Sequence, residues 1–261
     1  WILTGAGCLC NIFKLGSQGV HMTENHSLCF YGGSGCGKTT QIGYFADYIR
    51  RTTGKQTRLI HTGDGGWDPI QAYIDAGVID ICNVAGSTTP VAALIKLRRG
   101  WWPGVNAEGK PVLQAPTEET WSKVGAYAIE GLTGWGQLIM NHFHRVGPSL
   151  SQDPSYKFEE AGEVFYGGNM TYYGLIQDLL HDAVRGFSAL PVSRTMWTAL
   201  EATGAEDRST IYGPDILGRK AVGRSPAWFG VMLHGEMYTV NEPTSTPDPI
   251  TLQSFVPRVR R

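Results

Sequence analysis

The octapeptide Gly32-Gly33-Ser34-Gly35-Cys36-Gly37-Lys38-Thr39 fits the pattern G-x-x-x-x-G-K-[ST] at every fixed position. The chemistry it points to is phosphate binding. Glycines at these places let backbone N–H groups turn inward around an anion, and a helix starting there adds the positive end of its dipole. Lys38 can then reach the β- and γ-phosphates of a nucleotide, while the Thr39 hydroxyl can ligate Mg²⁺. Gly32, Gly33, Ser34, Gly35, Cys36, Gly37, Lys38, Thr39 and the adjoining Thr40 form the nucleotide-binding set, with ATP and Mg²⁺ as the implied cofactors. A glycine-rich turn matching by chance is the competing reading, and the flanks argue against it. Leu28-Cys29-Phe30-Tyr31 reads as a short buried strand, and Thr40 to Arg51 as a helix with Ile42, Phe45, Ala46 and Ile49 on one face.

Hydrolysis asks for more: a carboxylate near Mg²⁺ and a second group to orient water. Gly125-Ala126-Tyr127-Ala128-Ile129-Glu130 reads as an apolar strand that ends in a carboxylate. Open α/β sheets bind ligands at the carboxyl ends of their strands, so Glu130 joins Thr39 as a candidate for the metal shell. A surface glutamate at a strand end is the alternative.

The elements that must position these groups alternate along the chain. Thr57 to Thr62 reads as a strand, Pro69 to Ala76 as a short helix, Ile79 to Val84 as a strand and Thr89 to Arg99 as a helix. Gly100 to Thr120, rich in Gly and Pro, reads as a long surface excursion. Helices are predicted over Leu132 to His144 and Met170 to Phe187, with residues 145–168 irregular between them. A strand falls within Leu190 to Leu200, a polar loop over Glu201 to Ser209, and an edge of sheet over Ala227 to Tyr238. Such alternation predicts an α/β fold, a mostly parallel sheet with helices on both faces.

Composition sets outer bounds. At 261 residues, with 42% hydrophobic and 17% charged residues, the chain can bury a proper core and does not resemble a disordered one. The net charge of −1 carries no global signal for nucleic acid, although a few loop residues could suffice for it. Five cysteines (Cys8, Cys10, Cys29, Cys36, Cys82) fit neither a zinc site nor a disulfide framework, which points to reduced thiols and a cytoplasmic protein. No apolar run reaches membrane-spanning length, and Trp1 to Cys10 lacks the basic start of a signal peptide. Met22 is the first methionine, so residues 1–21 are expected to be an N-terminal arm or a non-native extension. Residues 22–240 would form the catalytic domain, and 241–261 a Pro-rich tail.

From the phosphate loop onward the order of elements resembles the RecA-like P-loop ATPases. The segment Thr62-Gly63-Asp64-Gly65-Gly66-Trp67-Asp68-Pro69 sits where that family carries its catalytic carboxylate and a following Asp-Pro, and Glu130-Gly131 where it carries an acidic and a small residue. The resemblance implies that Asp64 orients the attacking water. It also implies a polar γ-phosphate sensor at the end of the strand lying between those of the loop and Glu130, matched by Thr198 and Glu201. The chain departs from the pattern by carrying Asp at the catalytic position and Glu at the metal-shell position. Each change alters reach by one methylene. Ile211 to Lys220 and Pro226 to Gly230 are similar to the C-terminal part of phage-encoded RecA-like proteins, and the likeness covers roughly 27–238. Members of the family form rings or filaments in which one subunit supplies basic residues to its neighbour's site. Arg219, Lys220 and Arg224 are the candidates for such a finger; a solvated basic loop is the other reading.

The same resemblance implies that residues 141–169 line a channel for single-stranded DNA. Arg145, Tyr156, Lys157 and Phe158 are the contact candidates there, since cations interleaved with aromatics neutralise phosphates and stack on bases. Glu159, Glu160 and Glu163 in the same stretch oppose a polyanion, and an ordinary loop with anchoring aromatics fits as well. Three functions follow as hypotheses: a homo-oligomeric ATPase acting on DNA in phage recombination or replication, a nucleotide-gated assembly switch without a nucleic-acid ligand, or a small-molecule kinase lidded by 100–120.

Overall fold

The computed structural model of the chain describes residues 26–63, 66–146, 157–166, 172–202, 213–216, 222, 224–236, 238–243 and 255–260. Of the residues singled out above, Asp64, Tyr156, Arg219, Lys220 and the whole of 1–21 lie outside that set.

Strand β1 (His26–Gly32) leads through the glycine loop into helix α1 (Lys38–Thr53). Strand β2 (Gln56–His61) follows, then a 3₁₀ turn at Asp68–Ile70, helix α2 (Gln71–Asp75) and strand β3 (Ile79–Asn83). Helix α3 (Pro90–Leu97) precedes a hairpin of β4 (Trp102–Val105) and β5 (Pro111–Gln114), then α4 (Glu118–Lys123) and β6 (Val124–Glu130). Helix α5 (Leu132–Val146), a second hairpin of β7 (Lys157–Glu160) and β8 (Glu163–Tyr166), helix α6 (Tyr172–Ser188) and β9 (Arg194–Leu200) come next. A 3₁₀ turn at Ser225–Trp228 introduces β10 (Val231–Gly235), and β11 (Tyr238–Pro243) pairs with β12 (Phe255–Arg260) as an antiparallel ribbon.

Six strands form one sheet in the order β10-β1-β9-β6-β2-β3, every neighbouring pair parallel. The expected α/β fold with a parallel sheet is what the chain adopts. Successive strand residues point to opposite faces, and the sequence exploits this period of two. Leu28 and Phe30 of β1, Leu59 of β2, Ala126 and Ala128 of β6 and Met196 of β9 pack against Ile42, Phe45, Ala46 and Ile49 of α1. The intervening Cys29, Ile60, Tyr127, Ile129 and Trp197 face the other way, onto a core built from α3, α5 and α6. Both faces are covered. Small alanines on β6 let α1 lie close to the sheet, while Trp135, Trp197 and Phe187, all fully buried, fill the thicker opposite layer. Each such side chain contributes roughly 1.5–3 kcal/mol through removal from water. No described helix is long and apolar enough to cross a membrane.

Two expectations need correction. Gly100 to Thr120 is not a plain excursion: it contains the β4–β5 hairpin and the first half of α4. Trp102 anchors it, buried beneath the Arg58 guanidinium, which lies 4.6 Å from the ring centre and 3.1 Å from the Tyr127 hydroxyl. Likewise 145–168 is not uniformly irregular, because β7 and β8 form a hairpin with a two-residue turn at Ala161-Gly162. Short hairpin strands carry no buried apolar run, so periodicity alone does not reveal them.

Candidate nucleotide-binding site

The register of the sheet brings the candidate residues to one edge. Gly32 of β1 lies level with Leu200 of β9 and Gly235 of β10, and Glu130 of β6 level with His61 of β2. All are at carboxyl ends, where a parallel sheet leaves its crevice.

The loop itself is shaped for an anion. Gly37 caps α1 at φ 91°, a left-handed conformation that favours glycine, and no side chain occupies the cap. The first turn of α1 contains no acidic residue either. Its leading N–H groups and the dipole are therefore directed at whatever enters the loop. Lys38 folds back over the loop, its Nζ donating to the carbonyls of Gly32 (3.0 Å) and Gly33 (2.8 Å). A phosphate chain would give that ammonium a charged partner in place of neutral carbonyls, and charge-assisted bonds are the stronger.

Across the crevice, the Thr39 hydroxyl donates to Glu130 Oε1. Glu130 is held from several sides. Gly131 takes φ 89°, and a Cβ there would stand 2.2 Å from the Thr62 hydroxyl oxygen, so the turn after the strand requires glycine. That hydroxyl donates to the carbonyls of Glu130 (3.0 Å) and Gly131 (3.1 Å), clipping β2 to β6. The Glu130 side chain is only 15% exposed. Burial pushes its carboxyl above the usual glutamate range, against the opposing influence of the Thr39 hydrogen bond and the Lys38 charge. Its second oxygen, Oε2, is buried without a hydrogen bond among the described residues. A hydroxyl and a carboxylate beside a phosphate loop form the hard-oxygen set that Mg²⁺ takes, and the unsatisfied oxygen leaves a place for such a charge. The residues fit the metal.

Thr198 sits one strand away, in β9, between β1 and β6 as anticipated. The residue is 1% exposed and its hydroxyl accepts the Gly131 N–H at 3.1 Å, so its described contact anchors the turn behind Glu130. Glu201 follows β9 directly. Its N–H donates to the Gly32 carbonyl at 3.1 Å, the same oxygen Lys38 holds, and its carboxylate lies 3.0 Å from His234 Nε2. His234, at the end of β10, stacks on Tyr31 with ring centres 4.8 Å apart and has Glu236 3.3 Å from Nδ1. Residues 213–216 strap this corner down. Asp215 N donates to Leu200 O at 2.6 Å, and Thr133 Oγ1 donates to Asp215 O at 2.7 Å.

The remaining candidates are dispersed. Arg224 is exposed and precedes the 3₁₀ turn that enters β10, where Gly230 N donates to Ser27 O at the start of β1. It therefore lies at the amino-terminal edge of the sheet, away from its own loop by the length of β10, roughly 15 Å. Arg145 donates to the Thr88 carbonyl at 3.3 Å. Lys157 and Phe158 belong to β7. Two of the three glutamates beside them are engaged within the fold. Glu160 accepts the Ala92 N–H at the start of α3 and lies 3.0 Å from His142, while Glu163 binds Arg98 and Arg99, each at 2.6 Å.

Sequence reading passed over His61, Thr62 and His234. Each is a polar residue at or just beyond the end of an apolar strand, which is the signal that could have found them.

No protein-family model matches the chain, and no curated protein matches it. Solved structures that align with it include a KaiC-like protein from the hyperthermophilic archaeon Pyrococcus horikoshii OT3. That pair shares 13% identity at a TM-score of 0.41, over 81% of this chain and 72% of the other. A likeness of that degree assigns no role, and the site rests on its own residues.

Proposed function

We propose that the chain is a RecA-like, Mg²⁺-dependent P-loop ATPase. The observation that carries this reading is the hydrogen bond between Thr39, at the end of the glycine loop, and Glu130, at the end of a neighbouring strand. Bound Mg²⁺ would be held by these two residues and would neutralise charge on the phosphates. Backbone amides of Gly33 to Thr39 bind and orient the triphosphate, and Lys38 turns from the loop carbonyls to the γ-phosphate as charge builds there. Asp64 orients the attacking water, with Glu201, whose N–H holds the Gly32 carbonyl, sharing that work.

The chain works as a homo-oligomer in the cytoplasm, on this reading. The place of Arg224 supports it: at the far edge of the sheet that cation can serve a neighbour's site and not its own, with Arg219 and Lys220 as further candidates. Single-stranded DNA is the proposed ligand of the 141–169 region, through Arg145, Tyr156, Lys157 and Phe158. Internal use of Glu160 and Glu163 supports this, since Glu163 is ion-paired with Arg98 and Arg99 and Glu160 is engaged by the Ala92 N–H and His142. A role in phage recombination or replication rests on resemblance alone, carried by Ile211 to Lys220 and Pro226 to Gly230 together with Gly100 to Pro103 and Trp197-Thr198.

ATP hydrolysis measured with and without single-stranded DNA, with Lys38→Ala as the blank, tests the whole. Stimulation that falls steeply with salt and vanishes in the variant is expected. Hydrolysis indifferent to DNA would leave the ATPase and favour a nucleotide-gated assembly switch.

A further inference from the structure

His61 closes β2, and the parallel register sets it beside Glu130 on the neighbouring strand. Its side chain is 4% exposed and packs edge-on against Trp67, with ring centres 5.4 Å apart at 72°. Nδ1 lies 3.1 Å from both the Gly63 N–H and the Gly63 carbonyl oxygen, so it is compatible with either tautomer. Nε2 faces Glu130 Oε2 at 3.3 Å. The carboxylate beside Nε2 decides between the tautomers: a lone pair there would face an anion, whereas an N–H is attracted to it, and Nδ1 then accepts from the Gly63 N–H.

The two carboxylate oxygens are thus divided. Thr39 donates to Oε1, and no formed hydrogen bond reaches Oε2 among the described residues, so the His61 N–H is the donor standing nearest to it. A Thr39 hydroxyl that offers its lone pairs to a metal keeps its proton for Oε1, but one hydrogen bond leaves the carboxylate free to rotate about it. A second donor at Oε2 would fix the plane. Contacts of this kind are commonly long in the unliganded state and tighten when the site fills.

We infer that His61 is a positioning residue for Glu130, setting the plane of its carboxylate for the metal–nucleotide complex. The inference rests on the reading of Thr39 and Glu130 as the metal pole of the site. A buried histidine serving the core alone would occupy the same volume, so the test must separate its donor from its bulk. His61→Leu keeps much of the bulk and removes the donor; His61→Gln keeps a donor of similar reach.

Mn²⁺ binding to the ADP complex, followed by electron paramagnetic resonance, needs no turnover. Folding of each variant is checked by its melting curve, and metal-free ADP affinity is measured alongside. Loss of an outer-shell partner weakens metal binding by roughly 10–100-fold, which is expected for His61→Leu, with metal-free ADP affinity unchanged and most of the loss recovered in His61→Gln. Folded His61→Leu that binds Mn²⁺ like the parent, or His61→Gln as weak as His61→Leu, would overturn the inference. Glu130→Ala run in parallel separates the two levels. If it too leaves Mn²⁺ binding intact, the metal pole itself has been misassigned.

Discussion

Thr39 and Glu130 stand 91 residues apart in the chain and share a hydrogen bond at the carboxyl edge of the sheet. One ends the glycine loop and the other ends β6, and β9 lies between their strands. Neither residue type is diagnostic alone. Their meeting beside a loop with an uncapped helix N-terminus is what turns a sequence pattern into a candidate metal–nucleotide site.

The loop has tight and open positions, and they predict different costs. A Cβ on Gly32 would lie 2.3 Å from the Gly235 carbonyl, whereas one on Gly33 would meet nothing within 4 Å among the described residues. Gly32→Ala should destabilise the fold by about 1–3 kcal/mol through overpacking. Gly33→Ala should stay within about 0.5 kcal/mol of the parent. Urea denaturation of the two variants checks the contrast, and equal costs would mean that β10 does not press on the loop.

Glu130 trades stability for function. Because burial raises its carboxyl above the 4.5 of an ordinary glutamate, the folded state favours the protonated form. Its contribution is therefore most favourable at acidic pH and is lost as pH rises through the raised value. Glu130→Gln should melt higher than the parent at neutral pH, with the advantage shrinking on acidification. Metal-dependent nucleotide binding should disappear in the same variant. A lower melting temperature at neutral pH would show that Thr39, Lys38 and His61 outweigh the burial.

Glu160 docks the β7–β8 hairpin on the start of α3 and on His142. Glu160→Gln weakens both contacts and should cost about 0.5–2 kcal/mol, as loss of a helix cap does. Hydrogen exchange at Ala92 should speed up correspondingly. Unchanged protection there would mean that Glu163 with Arg98 and Arg99 holds the hairpin by itself.

Glu201 and His234 form a half-exposed pair, which is worth little to stability. Their position at the loop predicts an effect on chemistry instead. Glu201→Gln should slow ATP hydrolysis by at least about tenfold with ATP affinity unchanged, in keeping with loss of a group that handles the water's proton. An unchanged rate would reduce the pair to a structural contact.

Much of this was legible before any coordinates. The phosphate loop, its flanking strand and helix, and the strand ending in Glu130 are all carried by short-range patterns: spacing, apolar runs and glycine. The placing of Thr198 on a strand between the other two was implied by resemblance, and the sheet order agrees. Hairpins at 102–114 and 157–166 escaped because they are short, polar on at least one side and anchored by distant partners such as Arg58 and His142. His61 escaped for a related reason. Its role depends on a cross-strand register that no local window contains.

The central claim is that Lys38, Thr39 and Glu130 together form a Mg²⁺-dependent nucleotide site. Calorimetric titration of ATP into the protein, with and without Mg²⁺, addresses it most directly, using Thr39→Ala and Glu130→Ala beside the parent. The parent should bind ATP more tightly when Mg²⁺ is present, and that gain should vanish in both variants while weaker metal-free binding through the loop persists. A parent that binds no ATP, or variants that keep the full Mg²⁺ gain, would contradict the account.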